Sequence, residues 1–207
     1  MEMAFHDVLT SEEELRELLG YPSDVVTRKV IGAMDAHCKD YIAQSPFVMV
    51  ATSNQDGSCD VSPRGDAPGF VLVLDDHRLV IPERPGNRRI DSLRNIISNP
   101  HIGLIFLIPG MEETLRINGR AYVTRDEELL QQMQAMGKTP QLAIGVVVEE
   151  CYMHCAKAFK RSGLWNAGSW PAKEELPSAA RIIAAHTSLD ESQIVRGLEE
   201  SYTKRLY

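Results

Sequence analysis

The sequence predicts a mainly β protein, an antiparallel barrel with helices at its periphery. Three observations carry this expectation. Between Phe47 and Val148 the chain offers six or seven short β-rich runs in meander order. Turn signals separate successive runs, as at Asn54-Gln55-Asp56-Gly57 and Asp75-Asp76-His77-Arg78. The helical stretches between the runs are too few for a doubly wound parallel sheet.

Taken in order, Thr10-Ser11-Glu12-Glu13 reads as a capping box with Thr10 at the N-cap and Glu13 at N3. Leu15, Leu18 and Leu19 follow as a short apolar stripe, and Gly20-Tyr21-Pro22 stops that helix. A second helix is expected over Ser23 to Gln44, because Val26, Val30, Ala33, Met34, His37 and Tyr41 fall at helical spacing. Ser45-Pro46 ends it. Phe47–Thr52 and Ser58–Pro63 then form a hairpin, with Phe70–Leu74 and Leu79–Ile81 as the third and fourth strands. Ile90, Leu93, Ile96 and Ile97 mark a short helix.

The fifth strand, Ile102–Ile108, is nearly all apolar and is expected to be buried on both faces. The sixth, about Glu113–Thr124, alternates. Leu115, Ile117, Ala121 and Val123 share one face, and Arg116, Asn118, Arg120 and Tyr122 the other. Gly119 suggests tight packing across that strand. A helix over Asp126–Ala135, a seventh strand over Leu142–Val148 and a helix over Met153–Arg161 follow. The tail Ser178–Tyr207 reads as helical with a break near Thr187–Asp190. The organisation is thus a helical extension over 1–46, a barrel over 47–170 and a helical tail over 171–207, one structural domain overall.

Composition removes several function classes. The 207 residues carry a formal net charge of −7, which argues against a nucleic-acid binder and against charge-driven attachment to an anionic membrane. No apolar run approaches the roughly 20 residues that span a bilayer. Met1 to Thr10 lacks the basic and apolar segments of a secretory signal. Four cysteines are too few for a disulfide scaffold at this length. Cytoplasmic residence with reduced thiols is the expectation.

Four clusters could carry chemistry. In Pro85-Gly86-Asn87-Arg88-Arg89-Ile90-Asp91, Asn87 is a good N-cap, which would place Arg88 and Arg89 in the first turn of the helix that follows. Two cations there oppose the helix dipole unless an anion such as phosphate sits beside them; a solvated surface turn is the alternative. In Asp60-Val61-Ser62-Pro63-Arg64-Gly65-Asp66, the side chains of Asp60, Ser62 and Arg64 share a strand face, either as a ligand wall or as a polar strand exit. Arg116, Asn118 and Arg120 either line a groove or face water. In the fourth cluster, Cys151, His154 and Cys155 lack the order needed for haem attachment and a fourth ligand for zinc, so no metal is expected. His154, Lys157 and Arg161 would instead form a basic helical face near Trp165 and Trp170.

These pieces, in this order, resemble the pyridoxamine 5′-phosphate oxidase-like superfamily of FMN-binding split-barrel proteins. The resemblance spans about Phe47 to Trp170. It rests on Val61-Ser62-Pro63-Arg64-Gly65-Asp66, Pro82-Glu83-Arg84-Pro85-Gly86-Asn87-Arg88-Arg89 and Leu115-Arg116-Ile117-Asn118-Gly119-Arg120. It implies a split antiparallel barrel and a homodimer with FMN between the subunits. Asp60, Val61, Ser62, Pro63 and Arg64 would run along the flavin, and Ile81 and Pro82 would line it. Asn87, Arg88 and Arg89 would hold its phosphate. Asn118, Arg161, Trp165 and Lys157 would complete the site from the partner subunit. The tail from Ser178 lacks the basic substrate motif of true pyridoxamine phosphate oxidases, which argues against that substrate. The function implied is an FMN-dependent oxidoreductase acting on a small organic molecule. The alternative is a protein that binds or stores FMN, haem or deazaflavin without turnover.

Overall fold

The computed structural model describes residues 5–207; Met1 to Ala4, part of the stretch read for a leader, lie outside the described residues. Seven strands form one antiparallel sheet in the order β2-β1-β5-β6-β7-β4-β3. They are β1 (Phe47–Ser53), β2 (Cys59–Gly65), β3 (Leu72–Val73), β4 (Arg78–Pro82), β5 (His101–Leu107), β6 (Thr114–Thr124) and β7 (Ala143–His154). Val48 and Val50 of β1 share a single buried core with Leu79 and Ile81 of β4, although the two strands are far apart in the sheet order. The sheet therefore curls around that core as the antiparallel barrel that the strand pattern predicts, of the split type that the family resemblance implies.

Helices close the core. α3 (Ala36–Gln44) contributes Cys38, Tyr41 and Ile42, and α4 (Asp91–Ser98) contributes Leu93 and Ile96. α1 (Glu12–Leu19) and α2 (Asp24–Arg28) bury no residue. α5 (Glu127–Gln132) starts on Asp126, whose carboxylate accepts the amides of Glu128 and Leu129. α6 (Lys157–Ser162) follows β7, and α7 (Ala179–Thr187) and α8 (Glu191–Lys204) form the tail with its expected break. Among the described residues no helix is long and apolar enough to cross a membrane.

Several boundaries differ from expectation, each for a local reason. The first capping box sits one residue later, with Ser11 at the N-cap and Glu14 at N3. The single helix over Ser23–Gln44 is two. Between them Ile31 exchanges both backbone hydrogen bonds with Cys151 at 3.0 and 2.8 Å, and Asp35 recaps the chain by accepting the Cys38 amide. The third strand shrinks to Leu72–Val73 because Phe70 donates its amide to Ala67 in a turn. α5 stops at Gln132 rather than running to Ala135, which pairs with Lys138 in a tight turn.

β7 runs on to His154, since Cys151–His154 pairs with Thr114–Ile117. The helix expected from Met153 therefore begins only at Lys157. His154 lies on a strand, and the basic helical face reduces to Lys157 and Arg161. β5 is buried on one face only. Ile102, Leu104 and Phe106 point inward, while Gly103, Ile105 and Leu107 face outward beside Met49 and Ala51 of β1. Cys151 donates to the sulfur of Cys38 at 3.3 Å inside the core. Burial pushes both thiols up, so neither is a reactive thiolate.

Candidate functional site

β2 is an edge strand whose alternation splits its side chains between two surroundings. Asp60, Ser62 and Arg64 face α4 and are half-buried; Val61 and Pro63 are exposed on the outer face. The inner three are joined into one network. Ser92, at the start of α4 and only 3% exposed, donates to Asp60 Oδ2 at 2.8 Å and lies 2.8 Å from the hydroxyl of Ser62. Arg64 donates to Ser62 Oγ at 2.9 Å and to Glu83 Oε2 at 3.0 Å. This ties the edge strand both to the helix start and to the exit of β4.

A second ion pair parallels the first. Arg84 donates to Asp66 Oδ2 at 2.7 Å, and the carboxylate side chain is only 5% exposed. Tyr207 donates to the other oxygen, Asp66 Oδ1, at 2.7 Å. Burial alone would raise the Asp66 carboxyl, but Tyr207, the Ala67 amide and Arg84 outweigh it and hold it below the ordinary carboxylate range. Tyr207 is raised in return, chiefly by its bond to Asp66. The contact thus stabilises the fold above the ordinary aspartate range and below the ordinary tyrosine range near 10. It is lost as pH falls through the depressed Asp66 value or rises through the elevated Tyr207 value. Tyr207→Phe is expected to lower the melting temperature at pH 7, and the difference from wild type should shrink as pH climbs past the Tyr207 value. A difference that stays constant from pH 8 to 11 would show that the phenol contributes nothing through this bond.

The loop from Pro85 to Ile90 joins these two clamps to α4. The helix begins later than the Asn87 reading implies. Its N-cap is Ile90, in the left-handed region at φ 55°, with no side-chain hydrogen bond to the first-turn amides. An apolar, β-branched N-cap in that region is unfavourable twice over. Arg88 is left-handed as well, at φ 61°. Asn87 instead accepts the Arg89 amide at 3.0 Å. Arg88 and Arg89 therefore precede the helix rather than occupying its first turn, and both are exposed. Arg89 pairs with Asp91 at 2.7 Å, and Asp91 and Asp60 favour its charged form. The strained turn leaves uncapped amides and two guanidinium groups at one end of α4. Such an arrangement suits an anion with several oxygens.

The other expected residues lie elsewhere. Ile81 is fully buried, its side chain in the core, and Pro82 is paired with Ala143. Asn118 donates to Glu150 at 2.9 Å on the outer face, in register with Gly103, Ala51 and Val61. Lys157 and Arg161 are exposed on α6, and Trp165 stacks on Phe159 and donates to the Met111 carbonyl at 2.9 Å. α6 sits by the start of β6, whereas α4 leads into β5 beside the end of β6, where Ala121 donates to Pro100. One chain does not bring Asn118, Lys157, Arg161 and Trp165 to the Arg88–Arg89 loop. Sequence reasoning missed Ser92, Glu83, Arg84 and Tyr207. The Glu83-Arg84 pair opposite Arg64 and Asp66, with complementary signs, is the signal that could have found two of them.

The family described as pyridoxamine 5′-phosphate oxidase matches residues 34–155, more than half of the chain. The chain belongs to the pyridoxamine 5′-phosphate oxidase family. That match takes in α3, all seven strands and the Arg88–Arg89 loop. No curated protein matches the chain in sequence. Among solved structures, HupZ of group A Streptococcus is 22% identical, with a TM-score of 0.47 over 57% of this chain and 92% of that one. An FMN-binding protein from Syntrophomonas wolfei is 10% identical, with a TM-score of 0.43 over 70% of this chain and 96% of that one. HutZ, the heme storage protein from Vibrio cholerae, is 16% identical, with a TM-score of 0.42 over 58% of this chain and 93% of that one.

Proposed function

We propose that this member of the pyridoxamine 5′-phosphate oxidase family is a cytoplasmic, homodimeric flavoprotein that binds FMN and oxidises or reduces a small organic molecule. The observation that carries the reading is the start of α4, uncapped at Ile90 and flanked by exposed Arg88 and Arg89. A terminal phosphate matches this donor set in charge and in hydrogen-bonding capacity. The edge strand beside it, Asp60 to Arg64, offers a wall for a flat ring, with Val61 and Pro63 outward. FMN, when bound, supplies the hydride and electron chemistry. The chain's part is to bind it, orient it and exclude water.

The dimer is supported by the outer face of β1 and β5. Phe47, Met49, Ala51, Gly103, Ile105 and Leu107 form an apolar, small-residue surface, and Phe47 and Ile105 are 37% exposed in the single chain. A second copy seated there brings Asn118 of one subunit toward the cofactor of the other, and the same reading assigns Lys157, Arg161 and Trp165 to the partner's site. Ile105→Glu is expected to give a monomer in sedimentation and to weaken FMN binding at the same time. A monomeric variant that still binds FMN as tightly as wild type would separate the interface from the site and refute the shared arrangement.

The deciding experiment is the visible spectrum of the protein as isolated, followed by titration of the stripped protein with FMN. A flavin spectrum and saturable binding are expected. A Soret band instead would assign the fold to haem, and a deazaflavin spectrum to that cofactor. Flavin reduction by a nicotinamide nucleotide supports the enzyme; bound FMN that no reductant or substrate turns over would leave a storage protein.

A further inference from the structure

A second cationic cluster lies away from the α4 start. Arg116 sits midway along a cross-sheet row on the outer face, in register with Ile105, Met49 and Pro63 on one side and Tyr152 on the other. Its guanidinium stacks over the Tyr152 ring at 5.3 Å. The Lys29 ammonium lies over the same ring at 5.8 Å and donates to the Met153 carbonyl at 2.8 Å. His154 follows two residues along β7, and both Arg116 and Lys29 act on it as like charges.

Within one chain the cluster lacks its counter-charge. Arg116 Nε is buried with no acceptor. Neither Arg116 nor Lys29 enters an ion pair among the described residues. Two carboxylates of the flanking segments are engaged elsewhere, Glu150 by Asn118 and Glu112 by Lys160. A buried, unsatisfied guanidinium nitrogen is costly, and an aromatic face attracts cations without neutralising them. Partial desolvation and the two neighbouring cations hold His154 below its ordinary value, which favours the neutral imidazole, able to donate one hydrogen bond.

We propose that Arg116, Lys29 and His154, gathered around Tyr152, form an oxyanion site that receives the phosphate or carboxylate group of a small organic ligand. Arg116 supplies the planar fork that a two-oxygen group requires, and Lys29 a compact second charge. The site is distinct from the Arg88–Arg89 loop. It extends the flavoprotein reading by giving the small molecule an acidic group, but it does not need flavin to be tested.

The test uses the whole protein, stripped of cofactor, with the His154 ring resonance followed by NMR during titration with inorganic phosphate and, separately, acetate. A saturable shift with either anion is expected, and which one binds more tightly distinguishes a phosphate from a carboxylate ligand. Arg116→Gln should weaken binding at least about tenfold, the worth of a charge-assisted hydrogen bond. Lys29→Ala, at the half-buried C-cap of α2, should weaken it several-fold with the fold intact by circular dichroism. The Arg88→Ala/Arg89→Ala double variant should bind as wild type does, and saturating FMN should not displace the anion. No shift in wild type, a shift that survives both Arg116→Gln and Lys29→Ala, or displacement by FMN would each overturn the proposal. Failure of FMN to bind at all would refute only the flavoprotein reading.

Discussion

Gly119→Ala is expected to destabilise the protein by about 3 kcal/mol, at the upper end of the usual cost of overpacking. A β-carbon built at Gly119 lies 2.1 Å from the Val147 carbonyl oxygen, 3.0 Å from its carbonyl carbon and 3.2 Å from Val148 Cα. All three are backbone atoms of the neighbouring strand, so no side chain can swing aside. The cause is a register shift between Asn118 and Gly119. Asn118 faces Glu150 and Gly119 faces Val148, leaving Glu149 as the extra residue of a bulge. β6 and β7 are the longest strands and pair along their whole length, so the clash falls on the main seam of the sheet. A fall in melting temperature of roughly 6–12 °C follows for a chain of this size. Gly145→Ala is the control. Its nearest neighbour is the Tyr122 carbonyl at 3.8 Å, so it should be almost neutral. Equal melting temperatures for Gly119→Ala and wild type would mean that the bulge relaxes at little cost.

That glycine illustrates what the sequence could reveal. Alternation along Leu115, Ile117, Ala121 and Val123 identified the strand and its core face, and Gly119 signalled close packing. The bulge itself depends on which residue of β7 is left unpaired, and no local pattern records that. The same limit explains β7. Cys151-Tyr152-Met153-His154 has spacing compatible with a helix, but the unpaired edge of Thr114–Ile117 and the bridge to Ile31 capture it as strand. β5 reads as buried on both faces because Ile105 and Leu107 are apolar; in the single chain they form an open surface.

The candidate site divides in the same way. Asp60, Ser62 and Arg64 share a face as the period of two requires. Their partners Ser92, Glu83 and Tyr207 come from distant segments that no spacing rule connects. Asn87 has the chemistry of an N-cap, yet Ile90 takes that position, because the two left-handed residues, Arg88 and Ile90, turn the chain once more before Asp91.

The largest effect on binding is expected from the Arg88→Ala/Arg89→Ala double variant, which should weaken FMN about a hundredfold or more. Each single variant should weaken it about tenfold, in keeping with charge-assisted hydrogen bonds to a phosphate. The arginines need not lie inside the helix to act in this way. Immediately before it, beside an uncapped first turn, they face the same positive dipole end; Asp91 offsets Arg89, while Arg88 has no ion-pair partner among the described residues and is left for an external anion. Riboflavin is the diagnostic ligand, since it carries the same ring without the phosphate. Wild type should prefer FMN to riboflavin strongly, and the double variant should lose that preference while its riboflavin affinity stays unchanged. Asp91 sharpens the case, because its carboxylate holds Arg89 at 2.7 Å where a phosphate would compete. Asp91→Asn should therefore tighten FMN several-fold, and added salt should weaken wild type more than the double variant. If the double variant bound both flavins as wild type does, the two guanidinium groups would be ordinary surface charge, and the phosphate would have to bind elsewhere on the chain.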